Sequence, residues 1–347
     1  MAFFFSEDTP VRKKIFTFLK FLFFLGLGIT IIWLSLKNLT PSERGQILHS
    51  FRIAQYNWVV LAIVLGIFSH ILRSLRWRIF LEPMGYQPSV KNTFYAVMIG
   101  YFANLAFPRL GEVTRCGILA RYEKIPFQKS FGTVITERAI DMMMFFLLFV
   151  VMILTQIGTI RNYLDTKVYP QIMGKFSNPA SYRLLLLAIL GVLLILVTAF
   201  ILLRKQIAHT RIYQQIRNIV LGFWEGLKSL GQIRKPVWFV LYTLSIWLLY
   251  FLMLYVCFFC FEGTSFLSVG AGLSALVLGS IGIMITPGGI GLYPAIVQET
   301  LLLYGVLKPT GLALGWIAWT AQTAMILVVG GIALLLLTFN KQADGNA

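Results

Sequence analysis

Charged residues are scarce in this chain. They make up 12% of its 347 residues, whereas apolar residues make up 58%. Soluble domains carry about 25% charged residues, so the composition excludes a soluble globule. It predicts a single all-α, polytopic integral membrane domain over residues 1–347.

Acidic residues are the scarcest charge, with 13 Asp and Glu against 30 Lys and Arg. In a soluble protein this excess would suggest nucleic acid. Here much of the basic charge lies in short loops beside apolar segments, where it orients the chain and binds anionic head groups. We therefore expect membrane phospholipids or polyprenyl-phosphate lipids as partners, with no nucleic acid. Whether a partner enzyme also binds this chain is left open by the sequence.

Metal and cofactor motifs are missing as well. The three histidines form no zinc pattern and the sequence contains no phosphate-binding loop. The cysteines, two of them in Cys257-Phe-Phe-Cys260, are too few for a disulfide framework, and we interpret them as helix-packing residues. We expect no cofactor, no metal and no catalytic or motor domain.

Apolar runs of about 20 residues, the length that crosses a bilayer, occur six times. They occupy residues 15–36, 57–81, 130–157, 183–203, 236–260 and 310–338. The first is too long for a signal peptide, so we expect a retained anchor in the plasma (inner) membrane with both termini cytoplasmic.

Two further apolar regions are interrupted by proline and glycine. The first covers residues 90–122 with a break at 107–111, and the second covers 266–306 with a break at 286–291. Proline removes a backbone donor and glycine weakens a helix, so each region predicts two half-helices broken at membrane depth.

Basic residues indicate how these regions cross. If both return as re-entrant hairpins, 21 basic residues fall inside, 8 fall outside and Arg138 stays in the membrane, as the positive-inside rule favours. The order span, span, hairpin, span then occurs twice with opposite orientation. This predicts an inverted repeat of residues 1–170 and 171–339, a polar tail at 340–347, and a binding site between the halves.

Charged residues inside the apolar sequence are the main functional signal. An unpaired charge at the bilayer centre costs about 2.5 to 3.5 kcal/mol on insertion scales, so these groups must pair or line a wet cavity. We predict that arginines bind lipid phosphate, that carboxylates orient them or carry protons, and that Asn104 is a secondary polar group. The arginines are Arg109, Arg115 and Arg138, and the carboxylates are Glu112, Glu137 and Asp141.

The alternative interpretation is a structural ion-pair network that pins the first hairpin. Glu112 and Arg115 are three residues apart and able to pair on one helix face. Under either interpretation we expect coupling between carboxylates and arginines, and Glu137 with Arg138 is the pair that we select.

Two further motifs could contribute. Arg73, Arg76 and Arg78 surround Trp77 at the end of a span, which is typical of a snorkelling interfacial anchor, with a phosphate-collecting entrance as the alternative. The second break could bind an anion through its backbone amides, or its glycines could simply allow close helix packing. The residues concerned are Gly288, Gly289 and Gly291, with Tyr293, Gln298 and Gln322 as secondary groups.

Over nearly its whole length the chain resembles the lysylphosphatidylglycerol synthetase transmembrane family, also called the flippase-like domain family. The resemblance rests on Leu72-Arg73-Ser74-Leu75-Arg76-Trp77-Arg78, Asn104, Pro108-Arg109-Leu110-Gly111-Glu112, Arg115, Glu137-Arg138, Asp141 and Thr286-Pro287-Gly288-Gly289-Ile290-Gly291. It implies a membrane domain that in some members moves an aminoacylated phospholipid. We expect no soluble synthetase domain and therefore no aminoacyl transfer, and Pro294 stands where an acidic residue is expected.

These observations favour a lipid flippase that moves an anionic or isoprenoid-phosphate lipid through a cleft between the two halves. A membrane transferase with Glu137 or Asp141 as base is the main alternative. A scaffold for a partner synthetase is a third.

The re-entrant topology predicts that Lys91 and Lys124 lie on the same, cytoplasmic side of the membrane. Single cysteines at these positions should react with a membrane-impermeant maleimide only from that side. Labelling from opposite sides would contradict both the hairpin and the inverted repeat.

Overall fold

The computed structural model describes residues 40–106, 110–163 and 233–344, with a few single positions outside these ranges. The predicted span at 183–203, nearly all of the span at 15–36, and residues 107–109 lie outside the described part. Every regular element within it is helical. The helices are α1 Pro41–Ile53, α2 Tyr56–Leu81, α3 Val90–Ala106, α4 Leu110–Tyr122, α5 Phe127–Tyr163, α6 Pro236–Tyr255, α7 Glu262–Ser265, α8 Val269–Ile285, α9 Leu292–Leu302 and α10 Lys308–Asp344, and 3₁₀ turns cover Glu82–Met84, Val256–Cys260 and Pro287–Gly289.

Four of these helices are long and apolar enough to cross a membrane, and they fall at the predicted spans. Their outward faces carry large apolar side chains, such as Leu154 on α5, Leu248 on α6 and Leu335 on α10. A water-soluble protein would avoid such continuous exposed apolar surface. The all-α, polytopic membrane class is therefore confirmed.

Several helix ends differ from the predicted bounds. α5 extends beyond both ends of the predicted run at 130–157, and α6 stops at Tyr255, where a 3₁₀ turn replaces its last predicted residues. α10 continues to Asp344, so the start of the predicted polar tail is helical. Hydropathy marks the membrane-spanning part of a helix, whereas the helix itself can continue through polar sequence.

Local signals explain where several helices begin. Thr40 and Glu43 form a reciprocal capping box at the start of α1, and the Ser268 hydroxyl accepts a hydrogen bond from the amide of Ala271 at the start of α8. Capping of this kind satisfies amides that have no partner within the helix.

The first broken region is an antiparallel pair of helices, α3 and α4. At one end the Asn92 amide donates to the Glu123 carboxylate over 2.6 Å, and at the other end the backbone amide of Gly111 donates to the side chain of Asn104 over 2.7 Å. The chain therefore returns to the side where α3 begins, as a hairpin requires. Asn104 caps the start of α4.

The second broken region, α8 and α9, is also an antiparallel pair. Gly279 and Gly282 lie against Tyr293, and the hydroxyls of Ser274 and Tyr304 are 2.7 Å apart at the far end. Glycine on α8 leaves room for the tyrosine, so the small-residue packing predicted as the alternative operates beside the break.

The tips of the two hairpins meet. A Cβ atom added to Gly288 would lie 3.1 Å from Cδ2 of Leu105, near the end of α3. Trp319 of α10 donates from its indole nitrogen to the Gly288 carbonyl over 2.7 Å. Gly288, Gly289 and Gly291 have φ of 60°, 77° and 70°, a conformation that glycine adopts without a steric penalty. The turn therefore places the break between α8 and α9 against the end of α3.

We predict that Gly111→Ala destabilises the first hairpin. A Cβ at Gly111 would overlap the backbone carbonyl of Gly100 and the side chain of Asn104, neither of which can move without separating α3 from α4. Overpacking of this kind costs about 1 to 3 kcal/mol or more. The measurement is the free energy of unfolding in mixed micelles.

Gly117→Ala is the matched control, because Gly117 lies on the same helix and a Cβ added there would have no heavy atom within 4 Å. It should be neutral or slightly stabilising, since alanine favours helix over glycine. Equal losses in the two variants would contradict the close approach of α3 and α4.

Candidate functional site

A buried ion network joins α2, α4 and α5, with Glu137 at its centre. The two oxygens of Glu137 accept hydrogen bonds from Arg73 at 2.8 Å, Arg76 at 3.3 Å and Arg115 at 2.5 Å. The Glu137 side chain is 0% exposed, and the three arginines are at most 4% exposed. One carboxylate therefore fixes three guanidinium groups away from solvent.

Asp141 closes the network one turn further along α5. It accepts from Arg73 at 2.8 Å and from Arg76 at 2.7 Å. Residues four apart share a helix face, and so do residues three apart. The pair Arg73 and Arg76 on α2 therefore faces the pair Glu137 and Asp141 on α5, and Arg73 bridges the two carboxylates.

The predicted interfacial anchor at the end of α2 is wrong for two of its three arginines. Arg73 and Arg76 are buried in the network, because their spacing matches that of the carboxylates on α5. Only Arg78 is half-buried at the helix end, where its Nε donates to the Pro88 carbonyl over 2.7 Å. Hydropathy at a span end does not reveal which face an arginine occupies.

Aromatic rings complete the environment of the guanidinium groups. The Arg115 guanidinium lies 4.4 Å from the centre of the Trp77 ring, and the Trp77 indole donates to Thr133 over 2.9 Å. The Arg73 guanidinium lies 5.7 Å from the centre of the Tyr101 ring and 6.0 Å from that of Tyr250. Such cation–π contacts favour a cation that has lost water.

The roles of these aromatic residues are not visible in the sequence. Its pattern indicates an interfacial anchor at Trp77, and Tyr101 and Tyr250 carry no signal. Thr243 of α6 is missed as well, and it accepts from Arg76 at 3.4 Å. Polar and aromatic residues are common on membrane helices, so their position beside a charge becomes visible only when the helices are packed.

A second ion pair lies beside the network. Arg138 donates to Glu112 over 2.8 Å, and its side chain is 43% exposed. The predicted pairing of Arg138 with Glu137 is wrong, because adjacent residues on a helix point in different directions. Likewise Glu112 and Arg115 bond to α5 instead of to each other. The two cross-helix pairs hold α4 against α5.

The described charges of the site do not balance. Four arginines, at positions 73, 76, 115 and 138, face three carboxylates, at positions 112, 137 and 141, which leaves one excess positive charge. The Nε atoms of Arg73, Arg76 and Arg115 are buried, and no described residue accepts a hydrogen bond from them. Burying uncompensated charge is expensive, so the arrangement suits an added anion.

The glycine turn is less available than predicted. The amide of Gly289 donates to the Thr286 carbonyl over 3.0 Å, so the turn itself uses this amide. Among the described residues the turn meets the first hairpin through Leu105 and not through an arginine. Arg109, which was predicted to bind phosphate, lies outside the described residues.

The secondary residues of the second half lie apart from the ion network. Tyr293 is buried against α8, and with Gln322 it lines a small cavity between α2, α6 and α10. Gln298 donates to Glu299 over 2.8 Å at an exposed position. The described structure therefore supports a site at the first hairpin more directly than one at the glycine turn.

The fold and the site define a polytopic, all-α membrane protein that buries an arginine–carboxylate network between a helical hairpin and two long helices. The chain belongs to the family described as the lysylphosphatidylglycerol synthase TM region, which it matches over residues 18–339. The resemblance inferred from the sequence motifs is thereby confirmed.

Individual relatives are membrane proteins or contain a similar segment. The chain is 24% identical over 284 residues to a UPF0104 membrane protein of Methanothermobacter thermautotrophicus, covering 71% of this chain and 75% of that protein. It is 36% identical over 99 residues to a UPF0104 membrane protein of Methanocaldococcus jannaschii, covering 27% and 30%.

A third relative is the glycosyltransferase AglD of Haloferax volcanii, which is 31% identical over 121 residues, covering 34% of this chain and 19% of that protein. The matches to AglD and to the M. jannaschii protein therefore span less than a third of each relative. No solved structure matches the chain.

We predict that Glu137→Gln destabilises the protein far more than Glu112→Gln. The first change keeps the shape but leaves three buried guanidinium groups without their shared carboxylate, and removing one partner of a buried ion pair costs about 3 to 5 kcal/mol. The second breaks a half-exposed pair, where about 0 to 1 kcal/mol is typical.

The measurement is the free energy of unfolding in mixed micelles, with Glu299→Gln as an exposed control. Similar losses at Glu137 and Glu112 would show that the buried network does not hold the helices together.

Proposed function

We propose that this protein moves the phosphate-bearing head group of an anionic phospholipid or an isoprenoid-phosphate lipid between membrane leaflets. The observation that carries this proposal is the excess of buried guanidinium groups over carboxylates between α2, α4 and α5. Family membership supports a lipid-related role in the membrane.

Phosphate suits the chemistry of this network. A guanidinium presents parallel N–H groups that bind two phosphate oxygens at once, and a phosphate brings the negative charge that the network lacks. The unpartnered Nε atoms of Arg73, Arg76 and Arg115 are donors for such an anion. Glu137 and Asp141 keep the guanidinium groups in place for it.

Movement of the first hairpin would open the site. The arginines of the network are shielded in this structure. Among the described residues two ion pairs join α4 to α5, Arg115 with Glu137 and Glu112 with Arg138, beside an apolar cluster that includes Leu119 of α4 and Val134 of α5. Arg138 is the most exposed of the four arginines, so a phosphate that replaces Glu112 at Arg138 would release one of the two pairs. The tips of the hairpins, which meet at Gly288, would then separate.

The carboxylates are less suited to general-base catalysis, which a transferase would need. Glu137 accepts from three guanidinium groups and Asp141 from two. A base must instead reach the proton that it removes from the substrate. The similarity to AglD covers 19% of that protein and does not change this assessment.

Reconstitution in liposomes tests the proposal. Purified protein is placed in vesicles that contain head-group-labelled anionic lipid, and an impermeant reagent reports how much label remains in the inner leaflet. Loss of protected label with unchanged lipid masses supports transport. A lipid of altered mass indicates a transferase, and neither change favours a scaffold.

Arg115→Lys should reduce transport while the protein stays folded. Lysine keeps the positive charge beside Glu137 but loses the planar pair of donors, so phosphate binding weakens more than the fold does. Transport rates in the same vesicles and thermal unfolding in detergent are measured together.

Arg121→Lys is the matched control, because Arg121 is an exposed arginine on the same helix. It should leave both quantities unchanged. If Arg115→Lys loses stability and transport in parallel, Arg115 only pins the hairpin. If it transports at the wild-type rate, the planar pair of donors of Arg115 has no role in phosphate binding.

A further inference from the structure

A cavity of about 300 Å³ lies where α2 ends and α6 begins, outside the ion network. Its lining combines two cationic, one acidic, two aromatic and one polar side chain with two apolar ones. The lining residues are Leu75, Arg78, Ile79, Glu82, Gln87, Lys235, Trp238 and Tyr242. We infer that this cavity binds the phosphate head group of a lipid from the adjacent leaflet.

The cavity and the ion network occupy different faces of the same helix. On α2 the cavity is lined by Leu75 and by the residues three and four positions after it, which is the spacing of one helix face, and Glu82 of the following 3₁₀ turn continues this spacing. Arg73 and Arg76 belong to the other face. The cavity is therefore a separate site and not an extension of the buried network.

The charges of the cavity favour an anion. Lys235 pairs with Glu82 at 2.9 Å, which leaves Arg78 as the uncompensated charge among the lining residues. Nε of Arg78 is held by the Pro88 carbonyl, and no described residue accepts a hydrogen bond from its two terminal nitrogens. A guanidinium fixed at one edge and open at the other is ready to bind phosphate.

The neighbouring surface favours a lipid over a free phosphate compound. Trp238 is 55% exposed at the cavity, with its ring centre 5.9 Å from that of Tyr242, and Val237 and Leu241 extend an exposed apolar face along α6. Tryptophan, tyrosine and arginine together are typical of the membrane–water interface. The head group would occupy the cavity while its acyl chains lie along α6.

The site would also supply the network with substrate, and this role rests on the proposed function. Tyr242 lines the cavity, and the next residue, Thr243, accepts a hydrogen bond from Arg76 of the network. Arg76 and Arg78 are likewise only two positions apart on α2. A single helix–helix seam therefore separates the interfacial site from the buried arginines.

Quenching of Trp238 fluorescence by brominated lipids tests the inference on the full chain in nanodiscs. The Trp238 signal is the difference between the wild type and Trp238→Phe. We expect brominated phosphatidylglycerol to quench this signal more strongly than brominated phosphatidylcholine. Arg78→Gln and Lys235→Gln should each weaken the preference by about fivefold, the effect expected of one basic group near an anionic lipid.

Lys91→Gln is the matched control, because it removes an exposed basic residue that does not line the cavity. It should keep the preference. Equal quenching by the two lipids, or an equal loss in Lys91→Gln, would overturn the site. Since Lys235 is more than half exposed, its variant should fold even if Arg78→Gln does not.

Two further measurements are made. The first distinguishes a lipid phosphate from a soluble phosphate, and the second distinguishes failure of this site from failure of the proposed function. Glycerol phosphate or inorganic phosphate that abolishes the preference at millimolar concentration would indicate a site for soluble phosphate and overturn the lipid assignment. Quenching requires no transport, so Arg115→Lys should leave the preference intact. Loss of transport with intact quenching would therefore count against the proposed function alone.

Discussion

The carboxylate of Glu137 is the interaction on which the described structure depends. It is fully buried and accepts from three arginines that come from α2 and α4. In a low-dielectric interior each of these charges would be expensive alone, and each is tolerated because the others are present. One acid on α5 thus sets the positions of α2 and of the first hairpin.

Close backbone packing is the second constraint, and it acts where the charges do not. Gly100 and Gly111 let α3 and α4 touch. Gly279 admits the ring of Tyr293 between α8 and α9, and Gly282 lies against the backbone of the same tyrosine. Without a hydrophobic driving force between helices in lipid, van der Waals contact and hydrogen bonds hold such pairs together. Both hairpins can therefore bring their broken tips to the same place, where Leu105 meets the turn at Gly288.

A buried network with excess positive charge can pack stably and still suit the proposed replacement of one carboxylate by another anion. The carboxylates accept from at least one Nη atom of each arginine and Thr243 accepts from Nη1 of Arg76, while three buried Nε atoms have no described partner. The half-exposed pair of Glu112 and Arg138 lies near the start of α4. An anion that competes with Glu112 would act first at this pair and only then reach the deeper arginines.

Much of the fold follows from composition and periodicity, because a membrane demands long apolar helices and tolerates irregular backbone only where protein or water covers it. On this basis the sequence placed α2, α6 and α10 within a few residues of their starts and the second break at 286–291 between α8 and α9. At the first break the described helices end at Ala106 and begin again at Leu110. The sequence also identified five charged residues of the site, Glu112, Arg115, Glu137, Arg138 and Asp141, since charge within apolar sequence is conspicuous, but it assigned Arg73 and Arg76 to an interfacial anchor.

The sequence alone determined an all-α membrane chain, two broken helices, and a set of charged residues within apolar sequence. Only the tertiary structure decided the pairing. Helical spacing shows which residues share a face, as with Glu137 and Asp141, but it does not show the rotation of one helix against another. That rotation placed Arg73 and Arg76 in the network and Arg138 against Glu112, because each buried charge had to find a partner across a helix interface.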